Sequence, residues 1–208
     1  MMCMRLFGKG SAMVLFIAVL LAGCRSGASR IEFYTLSSLS AGTENPNPTA
    51  VASNIAVGVG PVEIPQVLDR PQIVTRSGPN KFTLDEFHRW GGPLQVDIAR
   101  VVAENISFLL GIDRVVVYPW EVDFAPDYRI ALNINYFEGQ WGKDVLLDVT
   151  WRVSDRAGQK TLAVKKSVIT EPLPTADYEA LVASKSRAIG RLSREIAREI
   201  SHLQAGAN

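Results

Sequence analysis

Three consecutive runs, YRIALNINYF (residues 128–137), VLLDVTWRVS (145–154) and TLAVKKSVIT (161–170), carry apolar residues at alternate positions. In the first, Tyr128, Ile130, Leu132, Ile134 and Tyr136 share one face. In the second, Val145, Leu147, Val149, Trp151 and Val153 do the same, opposite Asp148, Thr150 and Arg152. Such a period of two marks half-buried strands. Asp155-Arg156-Ala157-Gly158 is a turn between the second and third runs. The expectation is an antiparallel meander with one packed face and one wetter face.

Upstream, RVVVY (114–118) is continuously apolar after its first residue. That suits a central strand buried on both faces, or one whose second face is covered. Before it, Leu94, Ile98, Val101, Val102, Ile106, Leu109 and Leu110 recur at helical spacing. Gly91-Gly92-Pro93 opens this helix, with Pro in its first turn, and Gly111 is a natural stop. Gln72–Arg76 and Lys81–Leu84 read as a hairpin around Ser77-Gly78-Pro79-Asn80. NIAVGVGPVEI (54–64) is a strand whose Gly58 and Gly60 mark a bulge or a close backbone approach. IEFYTLS (31–37) is the first strand, and residues 38–53 read as a mobile loop rich in Ser, Asn, Pro and Thr.

Downstream, Pro172 and Pro174 end the sheet. Thr175 can cap a last helix whose first turn holds Asp177 and Glu179. Tyr178, Leu181, Val182, Ile189, Leu192, Ile196, Ile200 and Leu203 form its apolar stripe. Lys185, Arg187, Arg191, Arg194, Glu195 and Arg198 are assigned to the opposite face. This basic face reads as solvated, with contact to phospholipid head groups as the alternative. The fold class is therefore α+β: one domain over residues 31–204, a mixed and mostly antiparallel sheet including the C-terminal meander, covered by two long helices. Residues 205–208 form a disordered tail.

The N-terminus is of another kind. Arg5 and Lys9 precede an uncharged run, SAMVLFIAVLLA (11–22). At about 12 residues the run is shorter than the roughly 20 needed to span a bilayer as a helix, and it has the layout of an export signal. Leu21-Ala22-Gly23-Cys24 resembles the lipobox of bacterial lipoproteins, in which the Cys is lipidated and the chain is cut just before it. Cleavage removes residues 1–23, and with them Arg5, Lys9, Cys3 and no acid. The formal charge changes from +1 to −1. Cys24 is then the only thiol of the mature chain, and it is the anchor. Residues 24–30 form a short tether. Arg25 after the Cys favours the outer membrane, by analogy with enteric lipoproteins that are retained in the inner membrane by Asp.

Chemistry-bearing motifs are few. Near-zero net charge argues against a nucleic-acid binder. No paired His or Cys spacing for a metal occurs, and Gly58-Val59-Gly60-Pro61 lacks the residues of a phosphate loop. No cofactor is expected. His202 ends the last helix, where a cation suits the dipole. His88, within Asp85-Glu86-Phe87-His88-Arg89-Trp90, is the one candidate general base, for a His88-dependent hydrolase, but no nucleophile motif accompanies it. Trp141 lies between two glycines at the tip of the first meander loop. It is either an exposed contact anchor or folds back on the sheet. Trp90 and Trp120 read as core-edge residues.

Several segments together resemble the PqiC/YmbA-like family of ABC-type transport auxiliary lipoproteins. They are Phe33-Tyr34-Thr35-Leu36, the stretch from Ile55 to Pro65 continuing through Leu68-Asp69-Arg70-Pro71-Gln72-Ile73-Val74, and Glu86-Phe87-His88-Arg89-Trp90. Asp127-Tyr128-Arg129, Trp151-Arg152-Val153 and Asp177-Tyr178-Glu179-Ala180-Leu181-Val182 complete the set. Gly91-Gly92 departs from the expected Ala and acid, which implies a looser entry to the helix. The resemblance implies a non-enzymatic lipoprotein on the outer-membrane side. It would dock on or cap the hydrophobic conduit of an MCE-domain membrane protein in lipid transport, as a homo-oligomer. The alternative is an envelope-integrity lipoprotein without a transport partner. Asp69, Arg70 and Trp141 are the expected contact residues, with a local ion pair in the turn as the other reading of Asp69 and Arg70.

Overall fold

In a computed structural model, residues 30–41, 54–121 and 124–206 are described. The export segment, Cys24, the tether up to residue 29, residues 42–53 of the expected loop and the last two residues lie outside them. Residues 1–30 and 31–208 separate into two units, and the following concerns the second.

Its elements are β1 (Glu32–Tyr34), β2 (Val57–Glu63), β3 (Gln72–Gly78), β4 (Lys81–Trp90), α1 (Leu94–Leu110), β5 (Val115–Val117), β6 (Tyr128–Gly139), β7 (Asp144–Ser154), β8 (Thr161–Pro172) and α2 (Tyr178–Ala205). A 3-10 turn, Leu39–Ala41, follows β1. Among the described residues the eight strands form one mixed sheet, ordered β1-β4-β3-β6-β2-β5, with β7 beside β6 and β8 beside β7. Antiparallel pairing of β6, β7 and β8 supplies most of its register. The pairs β1–β4, β2–β5 and β2–β6 are parallel. This is the α+β layout expected from the sequence.

Both helices cover one face. α2 packs on β6, β7 and β8, and α1 on β2 and β5, while the helices also pack on each other. Val149, Trp151 and Val153 of β7 and Leu192, Ile196 and Ile200 of α2 are all essentially inaccessible. Each such aliphatic burial stabilises the fold by about 1.5–3 kcal/mol. Between the helices, the buried Asn105 accepts from the Leu39 backbone N–H at 2.7 Å and donates to Ser193 Oγ at 3.1 Å. Both of its polar ends are therefore satisfied, as burial requires.

Several local expectations are corrected. RVVVY forms a three-residue edge strand, not a central one: among the described residues β5 pairs only with β2. Its valines are half-buried because α1 packs against the strand. Tyr136 is exposed and Phe137 is buried, because a bulge between Ile134 and Tyr136 adds a residue and reverses the inside–outside phase. The first strand is shortened to Glu32–Tyr34, and β4 runs on to Trp90. Asp177, not Thr175, caps α2, since its carboxylate accepts from the Ala180 N–H at 2.7 Å. Pro93 stands at the N-cap of α1 and makes no side-chain cap bond. The entry is held instead by the Gly91 N–H donating to the Tyr34 carbonyl at 2.8 Å.

Lys185 is the largest departure. It is buried at 1% exposure and not on the solvated face. It lies four residues from both Leu181 and Ile189, so helical spacing places it within the apolar stripe. The close approach expected at the β2 glycines is present. A Cβ on Gly58 would lie 2.8 Å from the Trp120 ring, and one on Gly60 2.7 Å from Tyr118 Cβ. Gly60 also has φ +120°, a conformation that L side chains rarely adopt.

Candidate functional site

Residues from four separate segments meet at one end of the sheet, beside the N-terminus of α2. Their assembly starts in β4. Pairing with β3 jumps from Val74↔Leu84 to Gln72↔Arg89, so residues 85–88 bulge. Asp85 holds the bulge, its Oδ1 accepting from the N–H groups of Phe87 (2.8 Å) and His88 (3.1 Å). The same oxygen lies 2.9 Å from His88 Nδ1, and Nε2 lies 3.5 Å from Glu32 of β1.

The imidazole thus sits between two carboxylates. Tyr178, the first residue of α2, stacks on it with centroids 3.9 Å apart and planes at 14°. Trp141 meets Tyr178 edge-on at 5.1 Å, and Tyr34 closes the group at 5.9 Å from His88 and 6.3 Å from Tyr178. Tilted and edge-to-face pairs of this kind add about 0.5–1.5 kcal/mol each beyond burial. The Tyr34 hydroxyl donates to Glu32 at 2.6 Å.

Electrostatics follow this geometry. Burial, and then the neighbouring Asp85 charge, push the Tyr178 hydroxyl up to about 12. Burial, with the hydrogen bond to Glu32, raises Tyr34 as well. Partial burial opposes ionisation of Asp85, but hydrogen bonds from the His88 side chain and the Phe87 backbone outweigh it and lower its pKa. Both tyrosines stay neutral donors at physiological pH. His88 has each ring nitrogen turned toward a carboxylate and one ring face covered by Tyr178. That environment fits a positioning role in an aromatic cluster. Among the described residues no group of three His, Cys, Asp or Glu side chains is placed to hold a metal ion.

Trp141 therefore folds back, half-buried, against the domain, and still presents part of its surface at the β6–β7 turn. Asp69 and Arg70 lie elsewhere, in the turn after β2. Backbone bonds from Asp69 N to Gln66 O (3.3 Å) and Arg70 N to Leu68 O (2.9 Å) shape that turn. Asp69 is exposed and Arg70 half-buried, and the Arg70 Nε is buried without a hydrogen-bond partner. No ion pair joins the two among the described residues. Among the described residues no hydrogen bond, ion pair or ring contact joins Asp69 or Arg70 to the aromatic cluster, although Pro71 just after them accepts from the Trp90 N–H at 2.7 Å.

The cluster members that were not singled out from the sequence are Tyr34 and Tyr178. Their signal was that each lies in a segment carrying the family resemblance, as His88 does. On the exposed strip of α2, Arg187 and Arg191 are spent in part on Glu171 of β8, at 3.3 and 3.2 Å. The basic face is thus partly neutralised from within the fold.

The sequence profile of the family described as ABC-type transport auxiliary lipoprotein component matches residues 34–197. The chain belongs to this family. It is 25% identical over 192 residues to the intermembrane transport lipoprotein PqiC of Escherichia coli K12, covering 92% of this chain and 97% of the relative. PqiC of Shigella flexneri matches to the same extent. The fold is shared with the crystal structure of protein XCC0632 from Xanthomonas campestris, at TM-score 0.69 and 16% identity over 85% of this chain and 98% of that one. An uncharacterised protein of known crystal structure matches at TM-score 0.67 and 19% identity, over 83% and 99%. The matched span of this PqiC-like chain begins at Tyr34 and contains His88, Trp141 and Tyr178.

Proposed function

We propose that the chain is a non-catalytic lipoprotein subunit of an intermembrane lipid transport system. It would be cut before Cys24, anchored through that residue in the outer membrane, and carry one periplasmic domain over residues 31–204. It would dock on or cap the conduit of an MCE-domain membrane protein as a homo-oligomer. The observation that carries this reading is the match to PqiC, a lipoprotein of intermembrane transport by name, along 92% of the chain. Among the described residues no helix is long and apolar enough to cross a membrane, consistent with attachment by lipid.

Trp141, braced by Tyr178, is the proposed partner anchor, with Asp69 and Arg70 as a second contact. Co-purification from crosslinked, solubilised envelopes tests this. Trp141→Ala is expected to cut recovery of the MCE protein about 5- to 30-fold, the range for a contact anchor worth roughly 1–2 kcal/mol. Undiminished recovery with both Trp141→Ala and Arg70→Ala would remove these assignments. Failure of the wild-type chain to recover an MCE protein would overturn the reading itself.

Cys24→Ser is expected to move the protein from the membrane pellet to the soluble fraction with its melting temperature unchanged, because Cys24 precedes the packed residues. Retention in the pellet after a high-salt wash would contradict lipid anchoring.

A further inference from the structure

β1 and β4 leave an apolar surface on the sheet face opposite the helices. Glu32, Tyr34 and His88 are turned toward α2, as the Tyr178 stack shows. Strand alternation therefore sends Ile31 and Phe33 the other way. The register Phe33↔Arg89, Gln72↔Arg89 and Val74↔Leu84 puts Leu84 on the same face, and Phe87 stands exposed in the bulge between Leu84 and Arg89. Phe33 is 68% exposed, Ile31 48%, Phe87 45% and Leu84 42%. The register sets Phe33 opposite Arg89, whose guanidinium pairs with Glu86 at 3.1 Å, so this strip combines exposed apolar side chains with one ion pair. Four exposed large apolar side chains, on and just before two neighbouring strands, go beyond the single scattered exposures normal for a surface, and point to a contact site.

The position of the patch in the chain says what it meets. It begins at Ile31, seven residues after Cys24. The link from Cys24 to Arg30 spans at most about 20 Å even when fully extended. That is about half the diameter expected of a domain this size. A domain so tethered meets its bilayer at high effective concentration, and the residues nearest the tether meet it first. Phenylalanine, leucine and isoleucine without a buried polar partner suit the boundary between head groups and acyl chains.

We infer that Ile31, Phe33, Leu84 and Phe87 form a bilayer-contact surface that seats the domain on the membrane holding its own lipid anchor. This inference rests on the anchoring reading above. It adds a second attachment, through side chains, which fixes how the domain is oriented and not merely that it is attached. The same residues would keep Trp141 and the aromatic cluster, on the other face of the same strands, directed away from lipid.

The test uses the full lipidated chain in vesicles of phosphatidylethanolamine and phosphatidylglycerol. With the Cys24 thiol acylated, as that reading has it, Phe33→Cys, Phe87→Cys and, as control, Arg198→Cys each supply one thiol for an environment-sensitive NBD label. Arg198 is exposed on α2, which covers the other face of the sheet, about 30 Å along that helix from Tyr178. Spin-labelled lipids are expected to quench positions 33 and 87 at least twofold more than position 198, with a blue shift of emission at the first two. Equal quenching at all three positions overturns the inference. So does a blue shift at 33 and 87 without lipid quenching, which would mean that protein, such as a second copy, covers the patch. Flotation with the vesicles separates the two levels. A chain that floats yet is unquenched loses the contact surface and keeps the anchor; a chain that does not float loses both.

Discussion

Lys185→Met is expected to raise the melting temperature at pH 6 and to flatten its rise toward pH 9. The ammonium lies between α2 and the sheet, where it donates to the Phe137 carbonyl and sits 4.2 Å from the Phe137 ring and 6.0 Å from the Trp90 ring. Burial lowers its pKa from 10.5 to about 7, against the opposing pull of the Glu138 carboxylate. Glu138 is itself pushed up by burial, with Arg76 at 3.6 Å and Lys185 resisting that rise.

The unfolded chain keeps the Lys185 proton up to about pH 10.5, whereas the folded chain gives it up near 7. Between those values the unfolded state binds more protons, so stability grows with pH. Below about 7 the proton is held in both states and the contribution is at its lowest. A tenfold difference in proton affinity between the two states is worth about 1.4 kcal/mol, so the wild type should gain roughly 2–3 kcal/mol from this residue between pH 6 and 9. For a domain of this size that is about 5–10 °C. Methionine has similar length and no charge to desolvate, and replacing a buried ion by an apolar side chain is often neutral or stabilising. Lys185→Arg should destabilise at both pH values, since guanidinium cannot shed its proton there. Thermal melts of the three proteins at pH 6 and 9 check this. An undiminished pH slope in Lys185→Met would assign the slope to other groups.

Trp151→Ala should cost about 3–5 kcal/mol, the range for emptying an aromatic site in a close-packed core. Trp151 is 1% exposed in β7, paired with Leu132 on one side and Lys165 on the other. Its indole N–H donates to Ser167 Oγ at 2.9 Å, and that hydroxyl donates to Glu195 of α2. Truncation would leave a cavity and strip one bond from a chain that ties β7 through β8 to the helix. Trp151→Phe keeps most of the volume and should cost only about 1–2 kcal/mol, the worth of the lost bond plus a small void. Urea unfolding followed by circular dichroism should therefore give the order wild type, Trp151→Phe, Trp151→Ala. Equal losses in the two variants would place the energy in the hydrogen bond and not in packing.

Much of this was legible in the chain. The meander strands, the helix ending at Gly111 and the order of eight strands and two helices follow from apolar spacing, and the structure matches them. Misreadings arose where one non-local contact resets a local pattern. Tyr136 belongs to an unbroken alternation in the sequence, and only the partner strand β7 reveals the bulge that hands its place to Phe137. RVVVY looks central because every residue after Arg114 is apolar, yet apolar content does not say how many neighbours a strand has. Lys185 has apolar spacing and a charged head, and charge was the misleading cue.

The candidate site was legible only in pieces. His88 with Asp85, and Trp141 between glycines, were visible as separate features at a distance in sequence. Tyr34 and Tyr178 were visible only as parts of segments resembling a family. What brings them together is the parallel pairing of β1 with β4, the Asp85-held bulge and the start of α2 at the same end of the sheet.

By itself, the sequence determined the strand and helix alternation, because hydrophobic periodicity is a local property of the chain. It also determined family membership, and an expected anchor at Cys24 read from a short apolar run and its box. Only the tertiary structure decided which residues share a face after a bulge, which strand stands at the edge, that Lys185 is buried, and that Phe33 and Phe87 are not. Those outcomes depend on contacts between segments tens of residues apart, where register and burial are set by the partner and not by the residue.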